Sequence, residues 1–263
     1  SSLRQSWVHQ NTNLCNGVEG LSISNNIADI VNDLNIEAGA AVLPIGVRAV
    51  GYLTTTLTKR LDAVWSEGNN QGGRFTGVTL SNTTYHVFLI KNITTEVVDV
   101  GFDTSLNAVN RPSGWSARRI GSIIRASNAI VQFTHFGEYF SLKTVAVDVG
   151  GVEVPITATN YTMTVPSGIS VLVHGVLVPG CAAWSNFLTL SVQSPNQNTQ
   201  PPVSASFLGD FRGSGCAYSD PGSTTLFGQT SLMHVLSNTS RQLKFTRSGT
   251  YIGTYAYTTW LTL

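Results

Sequence analysis

A series of short β-prone runs, which fills the chain from Tyr85 onward, constrains the fold more than any other feature of the sequence. The runs are rich in Val, Ile, Thr, Tyr and Phe, and Gly, Pro, Asn or Ser separates them. This pattern is typical of strands joined by tight turns. The runs cover residues 85–91, 97–102, 118–125, 129–134, 161–165, 170–178, 187–192, 231–236, 242–246 and 251–258.

The connections between these runs favour antiparallel pairing. Ala126, Ser127 and Asn128 form a step of hairpin-loop length, and the Pro-Ser-Gly segments at 112–114 and 166–168 suit turns that begin with proline. Layers of short strands bury their apolar faces against one another. The sequence therefore predicts an all-β fold, built as an antiparallel β-sandwich or jelly-roll-like architecture, or as a barrel.

One segment has the apolar spacing of a helix. Leu57, Leu61, Val64 and Trp65 recur at i, i+4, i+7 and i+8 behind a threonine cluster. A glycine three residues after Trp65 is a suitable stop for such a helix. We therefore expect one short helix at residues 55–67.

Residues 27–34 allow two interpretations. Ile27, Ile30, Val31 and Leu34 also have helical spacing, but the segment is rich in Asn and Asp. These polar residues favour turns over helix interiors, so both a second helix and a lead into a strand fit the segment.

We divide the chain into three regions. Residues 1–56 form an N-terminal strand or extension, residues 57–150 form one β region, and residues 151–263 form a C-terminal β region. A shift in composition near residues 144–151 marks the second boundary, and the last two regions also fit one continuous domain. Residues 193–225 contain four prolines and several glycines, so we expect long loops there.

Charge and cysteine content exclude several classes of protein. Charged residues make up 11% of the chain, and 15 basic against 14 acidic side chains leave a net charge of +1. Nucleic-acid binding requires concentrated positive charge, so we expect no nucleic-acid partner. No apolar stretch approaches the roughly 20 residues of a membrane-spanning helix, so we expect a soluble protein. Three scattered cysteines favour folding in a reducing cytoplasm, and whether Cys181 and Cys216 pair is left open.

The sequence lacks the short motifs of common catalytic and cofactor sites. A phosphate-binding loop, an HExxH zinc pattern, a nucleophile elbow and the Rossmann glycines are all absent. The five histidines are spread singly rather than paired closely as in metal sites. We expect no enzyme activity, no cofactor, no catalytic residue and no metal. We also expect His86 to be a hydrogen-bonded core or interface residue rather than a catalytic base.

Asp99 and Asp103 are the nearest acidic pair in a predicted strand. Their spacing of four residues places both on one face but roughly 13 Å apart, too far for a catalytic pair of carboxylates. Arg118 and Arg119 follow in a later run, and because neighbouring strand residues face opposite ways, only one of them can join a given face. We expect structural salt bridges here, with an anion or sugar site as the alternative.

An ordered series of motifs runs from Leu57 to Leu142 with short gaps. It consists of Lys59-Arg60-Leu61-Asp62, Trp65, Gly68, Gly72-Gly73, Tyr85-His86-Val87-Phe88, Asp99-Val100-Gly101-Phe102-Asp103, Pro112-Ser113-Gly114, Arg118-Arg119-Ile120-Gly121-Ser122, Ile130-Val131-Gln132-Phe133, Gly137-Glu138 and Phe140. Together these motifs resemble the bacteriophage tail-fibre or tail-appendage domain that carries a YHVF…RRIGS signature. The chain departs from that family at its end, where Trp260 remains but the charged residues that often follow it are missing.

The resemblance implies a virion protein, in the tail or a surface appendage, that is assembled in the cytoplasm of the host bacterium. Tail fibres of this kind are usually homotrimers that attach to a bacterial surface polysaccharide or an outer-membrane receptor. Other phage tail or virion proteins are the expected partners. The alternatives are a purely structural virion component, such as a connector, baseplate or head decoration protein, and a glycan depolymerase.

A polar loop at residues 214–223 has the composition of adaptable binding surfaces, which are rich in Ser, Gly and Tyr. Tyr218 and Asp220 in this loop, together with Trp184, are the candidate receptor-binding residues. A merely solvated loop is the alternative interpretation.

Overall fold

The computed structural model shows a protein built of β-strands. It describes residues 17–44, 49–179, 189–199, 214–215, 217–219, 226–228, 231–248 and 254–261. Within these ranges no α-helix occurs, and the expected all-β fold is confirmed.

The chain forms two compact units. The first runs to Val131 and includes His135–Gly137, and the second consists of Gln132–Thr134 and the chain from Glu138 onward. This change of unit falls inside the range 57–150 that we expect to form one region. The strands up to that point are β1 (Val18–Gly20), β2 (Ile23–Asn25), β3 (Asp33–Ile36), β4 (Gly39–Leu43), β5 (Ala49–Leu53), β6 (Leu57–Val64), β7 (Gln71–Arg74), β8 (Thr84–Asn92), β9 (Val98–Asp103), β10 (Trp115–Ala126) and β11 (Ala129–Ile130).

Two sheets make up the first unit. Strands β1, β4 and β5 form a three-stranded antiparallel sheet, and the other eight form a sheet of order β11-β10-β8-β9-β7-β6-β3-β2. Most pairs in the larger sheet are antiparallel, as expected, but β7 is parallel to both β6 and β9. The parallel pairing arises because residues 65–70 carry the chain back along β6, so that β7 begins beside Lys59 and runs in the same direction.

Strand β8 lies at the centre of this unit and is buried on both faces over its first seven residues. On one face, Leu89 packs toward β5, where its Cδ2 atom lies 3.1 Å from the point that a Cβ atom would occupy on Gly51. On the other face, the rings of Phe88 and Phe75 stack with centroids 6.4 Å apart. Both faces of β8 therefore contribute to the hydrophobic core, which accounts for the nearly unbroken apolar sequence of this strand.

The expected short helix at residues 55–67 is wrong, because Leu57–Val64 form strand β6. Burial alternates along this segment, so that Leu57, Lys59 and Leu61 face inward, whereas Val64 is 52% exposed. A spacing of four residues places two side chains on one face of a strand as well as of a helix. Pairing of β6 with β3 and β7 decides between the two in favour of the strand.

Two further segments, residues 126–128 and 27–34, can be compared with their expected structures. The Ala126 to Asn128 step is a tight hairpin turn, in which Ser127 and Asn128 have positive φ and Ala126 pairs with Ala129, as expected. Residues 27–34 form no helix, and turns lead into strand β3. The oxygen atoms of Asn26 and Asp29 accept backbone N–H groups in these turns.

Among its described residues, the second unit contains three sheets. The main sheet of this unit has the order β12-β13-β23-β16-β21, with β14 paired to β23, and its strand β12 lies where the chain passes from one unit to the other. The other two sheets have the orders β15-β22-β17-β18 and β19-β20. The strands are β12 (Phe133–Phe136), β13 (Tyr139–Leu142), β14 (Ala146–Val152), β15 (Thr159–Thr162), β16 (Leu172–Pro179), β17 (Thr189–Gln193), β18 (Ser214–Gly215), β19 (Ala217–Ser219), β20 (Leu226–Gly228), β21 (Ser231–Leu236), β22 (Gln242–Ser248) and β23 (Thr254–Leu261).

A search of the described residues for a helix long and apolar enough to cross a membrane found none. Most of the segment 193–225, for which we expect long loops, lies outside the described residues, as do Cys181 and Cys216.

Candidate functional site

Three motifs of the YHVF…RRIGS series lie side by side in the first unit. Strand β8 carries Tyr85 to Phe88 and pairs on one side with β10, which carries Arg118 to Ser122. On its other side β8 pairs with β9, which carries Asp99 to Asp103. Three segments that are well separated in the sequence thus form one continuous surface across three strands.

One row across these strands consists of Ser122, His86 and Asp103, which stand opposite one another in register. The Nδ1 atom of His86 lies 2.8 Å from the Ser122 Oγ atom in a hydrogen bond. All three side chains are at most 1% exposed. A substrate therefore cannot reach the Ser122 hydroxyl, and the row is a structural feature of the sheet.

His86 is held in its neutral form. Burial is the main cause that lowers the pKa of His86, the nearby Arg119 guanidinium lowers it further, and Asp103 opposes both, which leaves a value of about 4. The expectation that His86 is a hydrogen-bonded core residue is confirmed by its burial and by its bond to Ser122.

Asp103 organises the loop between β9 and β10. One carboxylate oxygen accepts the Ser105 N–H at 3.0 Å and the Asn110 side-chain amide at 2.9 Å. The other accepts the Asn110 backbone N–H at 3.0 Å. These bonds fix the path of the intervening residues, including Leu106 and Asn107.

Asp99 lies on the same face of β9 as Asp103, as expected, but its partner is different from the one expected. Asp99 pairs with Lys59 at 3.0 Å, and both side chains are at most 1% exposed. Asp103 likewise forms its bonds with Ser105 and Asn110. The expected salt bridges of these two carboxylates with Arg118 and Arg119 are therefore wrong, because a buried lysine and a folded loop satisfy the carboxylates instead.

A β-bulge interrupts strand β10 at the arginine doublet. Arg119 stands opposite Phe88 and Gly121 stands opposite Val87, so Ile120 is an extra residue on β10. Bulges re-aim side chains and bend the strand that carries them. In β10 the bulge lies immediately after the two arginines.

An open depression with a volume of about 370 Å³ lies at this doublet. By register, Arg119 shares the face of Phe88 and Arg118 shares the opposite face with Leu89, yet both arginines line the depression. Strand β11 pairs with β10 only at Arg125 and Ala126. We call this feature the arginine depression, and its lining residues are Pro44, Phe88, Leu106, Asn107, Ala117, Arg118 and Arg119.

The depression therefore lies at an edge of β10 that has no second strand partner from Trp115 to Ile123, within the part of the chain that the structure describes. Alternate residues of an edge strand direct their backbone N–H and C=O groups away from the sheet.

The described residues compensate the charge of Arg119 poorly. Burial, and then repulsion by Arg118, lower the pKa of Arg119 from its usual value. Its guanidinium donates a hydrogen bond of 3.3 Å to the neutral Ser122 hydroxyl. Among the described residues, no carboxylate lies within ion-pair distance of Arg119. A half-buried cation in this setting favours an external anion.

A second cluster of titratable side chains lies in the second unit. His174 and His234 stand opposite each other on β16 and β21, with ring centroids 4.4 Å apart in a T-shaped arrangement. Burial, and then His234, lower the pKa of His174. No group of three or more His, Cys, Asp or Glu side chains that could hold a metal ion occurs in the described ranges.

The three candidate receptor-binding residues are placed only in part. Tyr218 lies in strand β19, opposite Phe227 of β20, and its side chain is not described. Trp184 and Asp220 lie outside the described residues. These three residues stay a prediction.

Comparison of the sequence with protein-family models and with curated proteins found no match.

Proposed function

We propose that this chain is a bacteriophage virion protein, a tail fibre or tail appendage component that attaches to the surface of the host bacterium. The observation that carries this proposal is the position of the YHVF…RRIGS motifs. Three of them, at residues 85–88, 99–103 and 118–122, occupy the adjacent strands β8, β9 and β10, and the Arg118-Arg119 doublet lines an open depression. The motifs that support the family resemblance therefore also build a surface that can bind a ligand.

The low charge and the all-β fold support the same proposal. A homotrimer, the expected oligomer, presents three equivalent binding surfaces around one axis. Three sites that engage one cell surface together strengthen attachment by roughly 100-fold to 10,000-fold over a single site. Weak contacts at each depression are then sufficient for stable attachment.

The proposed partners are a bacterial surface polysaccharide or an outer-membrane receptor on the host side, and other tail proteins on the virion side. The arginine depression is one proposed contact. The segments around Trp184 and residues 214–223 are a second one, because their polar and aromatic composition suits adaptable contacts.

The proposal is tested by binding of the full chain to bacteria. Fluorescently labelled protein is incubated with cells of strains that the phage infects and with resistant strains, and unlabelled protein is added to phage adsorption assays. We expect labelling of sensitive cells and slower phage adsorption. Absence of both effects on sensitive strains would refute the attachment function.

The same experiment separates the alternative functions. A connector, baseplate or decoration protein binds neither cells nor polysaccharide but assembles with other virion proteins. A depolymerase lowers the viscosity of extracted surface polysaccharide during incubation, whereas an attachment protein binds the polysaccharide and leaves its viscosity unchanged.

A further inference from the structure

We infer that the arginine depression binds the negatively charged group, carboxylate or phosphate, of a cell-surface glycan, and that Arg119 recognises this charge. The inference rests on the proposed attachment function and adds the chemical class of the ligand. Its basis is the geometry of the arginine depression.

The surroundings of Arg119 favour an external anion. In the described chain it faces a neutral hydroxyl at 3.3 Å and no carboxylate. Holding a half-buried guanidinium without an anion costs stability, and such costs concentrate at binding sites. The planar guanidinium can donate two parallel hydrogen bonds to a carboxylate or phosphate.

Arg118 is a second arginine that lines the depression. The two arginines start on opposite faces of β10 and both reach the depression across its edge. Arg118 thus brings a second positive charge to the rim of the depression, beside that of Arg119. The other described residues that line the depression are uncharged, so none of them opposes an anion there.

The size and the lining of the arginine depression suit a sugar ligand. The volume of about 370 Å³ lies near the lower end of the roughly 300–1,000 Å³ that ligand pockets span, which suits one or two sugar units rather than a large ligand. The exposed Leu106 and Pro44 offer apolar contacts for the sugar ring faces. The Asn107 side chain offers hydrogen bonds to hydroxyl groups. Asp103 holds this wall in place through Ser105 and Asn110.

A glycan array provides the first test. The full chain is applied to an array of bacterial glycans that bear uronate, phosphate or no charge. We expect the bound glycans to be anionic, and the uronate and phosphate members distinguish the two sources of charge. Equal binding to neutral glycans, or no binding to any anionic glycan, would overturn the inference.

Two variants provide the second test, with the preferred anionic glycan as the probe. Arg119→Gln removes the recognising charge, and we expect a loss of affinity of roughly 10-fold to 100-fold. Arg60→Gln removes the same charge from an exposed position on β6 and should leave the affinity unchanged. Equal affinity of Arg119→Gln and the unaltered chain, or equal losses in both variants, would contradict the inference.

Thermal unfolding distinguishes a binding role of Arg119 from a structural one. If Arg119 is kept for a ligand, Arg119→Gln removes an uncompensated charge and the melting temperature stays the same or rises. A melting temperature that falls in proportion to the loss of affinity indicates a structural role and overturns the inference.

Binding to whole cells separates failure of this inference from failure of the attachment function. Arg119→Gln protein that labels sensitive cells as well as the unaltered chain refutes the anion site and leaves the attachment function standing. Unaltered protein that labels no sensitive cells refutes the attachment function itself. Capture of a peptide strand along β10, without glycan binding, would also overturn the glycan assignment.

Discussion

Buried polar side chains in the first unit show how single residues set its response to pH. His86 is 1% exposed, and its pKa of about 4 lies below the usual value of 6.5. The unfolded chain therefore binds a proton at this residue at a higher pH than the folded chain does. Stability contributed by neutral His86 is complete above about pH 6.5 and is lost as the pH falls toward 4.

The predicted size of this effect is about 3 kcal/mol between pH 6.5 and pH 4, from the shift of His86 alone. Burial also lowers the pKa values of His135 and His174, so both add to the effect with the same sign. We expect His86→Asn, whose amide can still reach Ser122, to weaken the dependence of the free energy of unfolding on pH. Chemical denaturation at several pH values measures it, and an unchanged slope between pH 6.5 and 4 would exclude His86 as the source.

At the scale of elements, a buried ion pair fastens the segment between β6 and β7 to β9. The Lys59 Nζ atom donates to the backbone oxygens of Ser66 and Gly68 at 2.7 and 3.1 Å as well as to Asp99. The Asp99 carboxylate also accepts the Gly68 N–H at 3.1 Å. This network stabilises the reversal of the chain that makes β7 parallel to β6.

Removal of one partner of this pair should be far more harmful than removal of both charges. Lys59→Met leaves the Asp99 charge buried without its cation, and we predict a cost of about 3–5 kcal/mol in the free energy of unfolding. The double variant Lys59→Met with Asp99→Asn should recover part of this loss, because no buried charge remains. Denaturation of the two variants and of Asp99→Asn measures the coupling, and additive costs would contradict the buried-pair account.

Gly101 allows Phe75 to pack on the centre of the large sheet. A Cβ atom on Gly101 would lie 2.0 Å from the Cε1 atom of the Phe75 ring. We therefore predict that Gly101→Ala destabilises the protein by about 1–3 kcal/mol through overpacking. Phe75→Leu should relieve this clash, so the double variant should lose less than the sum of the two single losses. A full additive loss in thermal unfolding would show that the ring is not the obstacle.

Most strands were predictable from the sequence, because the β-prone runs and the turn residues that separate them are local signals. The run at 85–91 and the run at 242–246, for example, correspond to β8 and β22. Strand β6 was missed because Leu57 and Leu61 fit a helix and a strand equally, and only pairing with β3 and β7 separates the two. Non-local pairing of this kind leaves no local pattern.

The candidate site was predictable only in its central residues. The sequence indicates Arg118 and Arg119 as a candidate anion or sugar site, but it favours salt bridges with Asp99 and Asp103. Lys59, the true partner of Asp99, lies 40 residues away in the misassigned helix. The apolar and amide walls at Leu106 and Asn107 depend on how Asp103 folds its loop, which residue patterns do not reveal.

At the scale of the whole molecule, the two proposed contact regions belong to different units. The YHVF…RRIGS motifs that form the arginine depression belong to the first unit, and residues 151–263 with their loop candidates belong to the second. The attachment proposal therefore has two separable parts: the arginine depression in the first unit, and the candidate residues Trp184, Tyr218 and Asp220 in the second.

The location of this protein in an intact virion tests the central claim most directly. Antibodies against the purified chain, labelled with gold, are applied to whole phage particles and viewed by electron microscopy. An attachment protein places the gold at the tips of tail fibres or appendages, where it meets the cell first. Gold on the head or at an internal tail joint, or no labelling of particles that contain the chain, would contradict the attachment function.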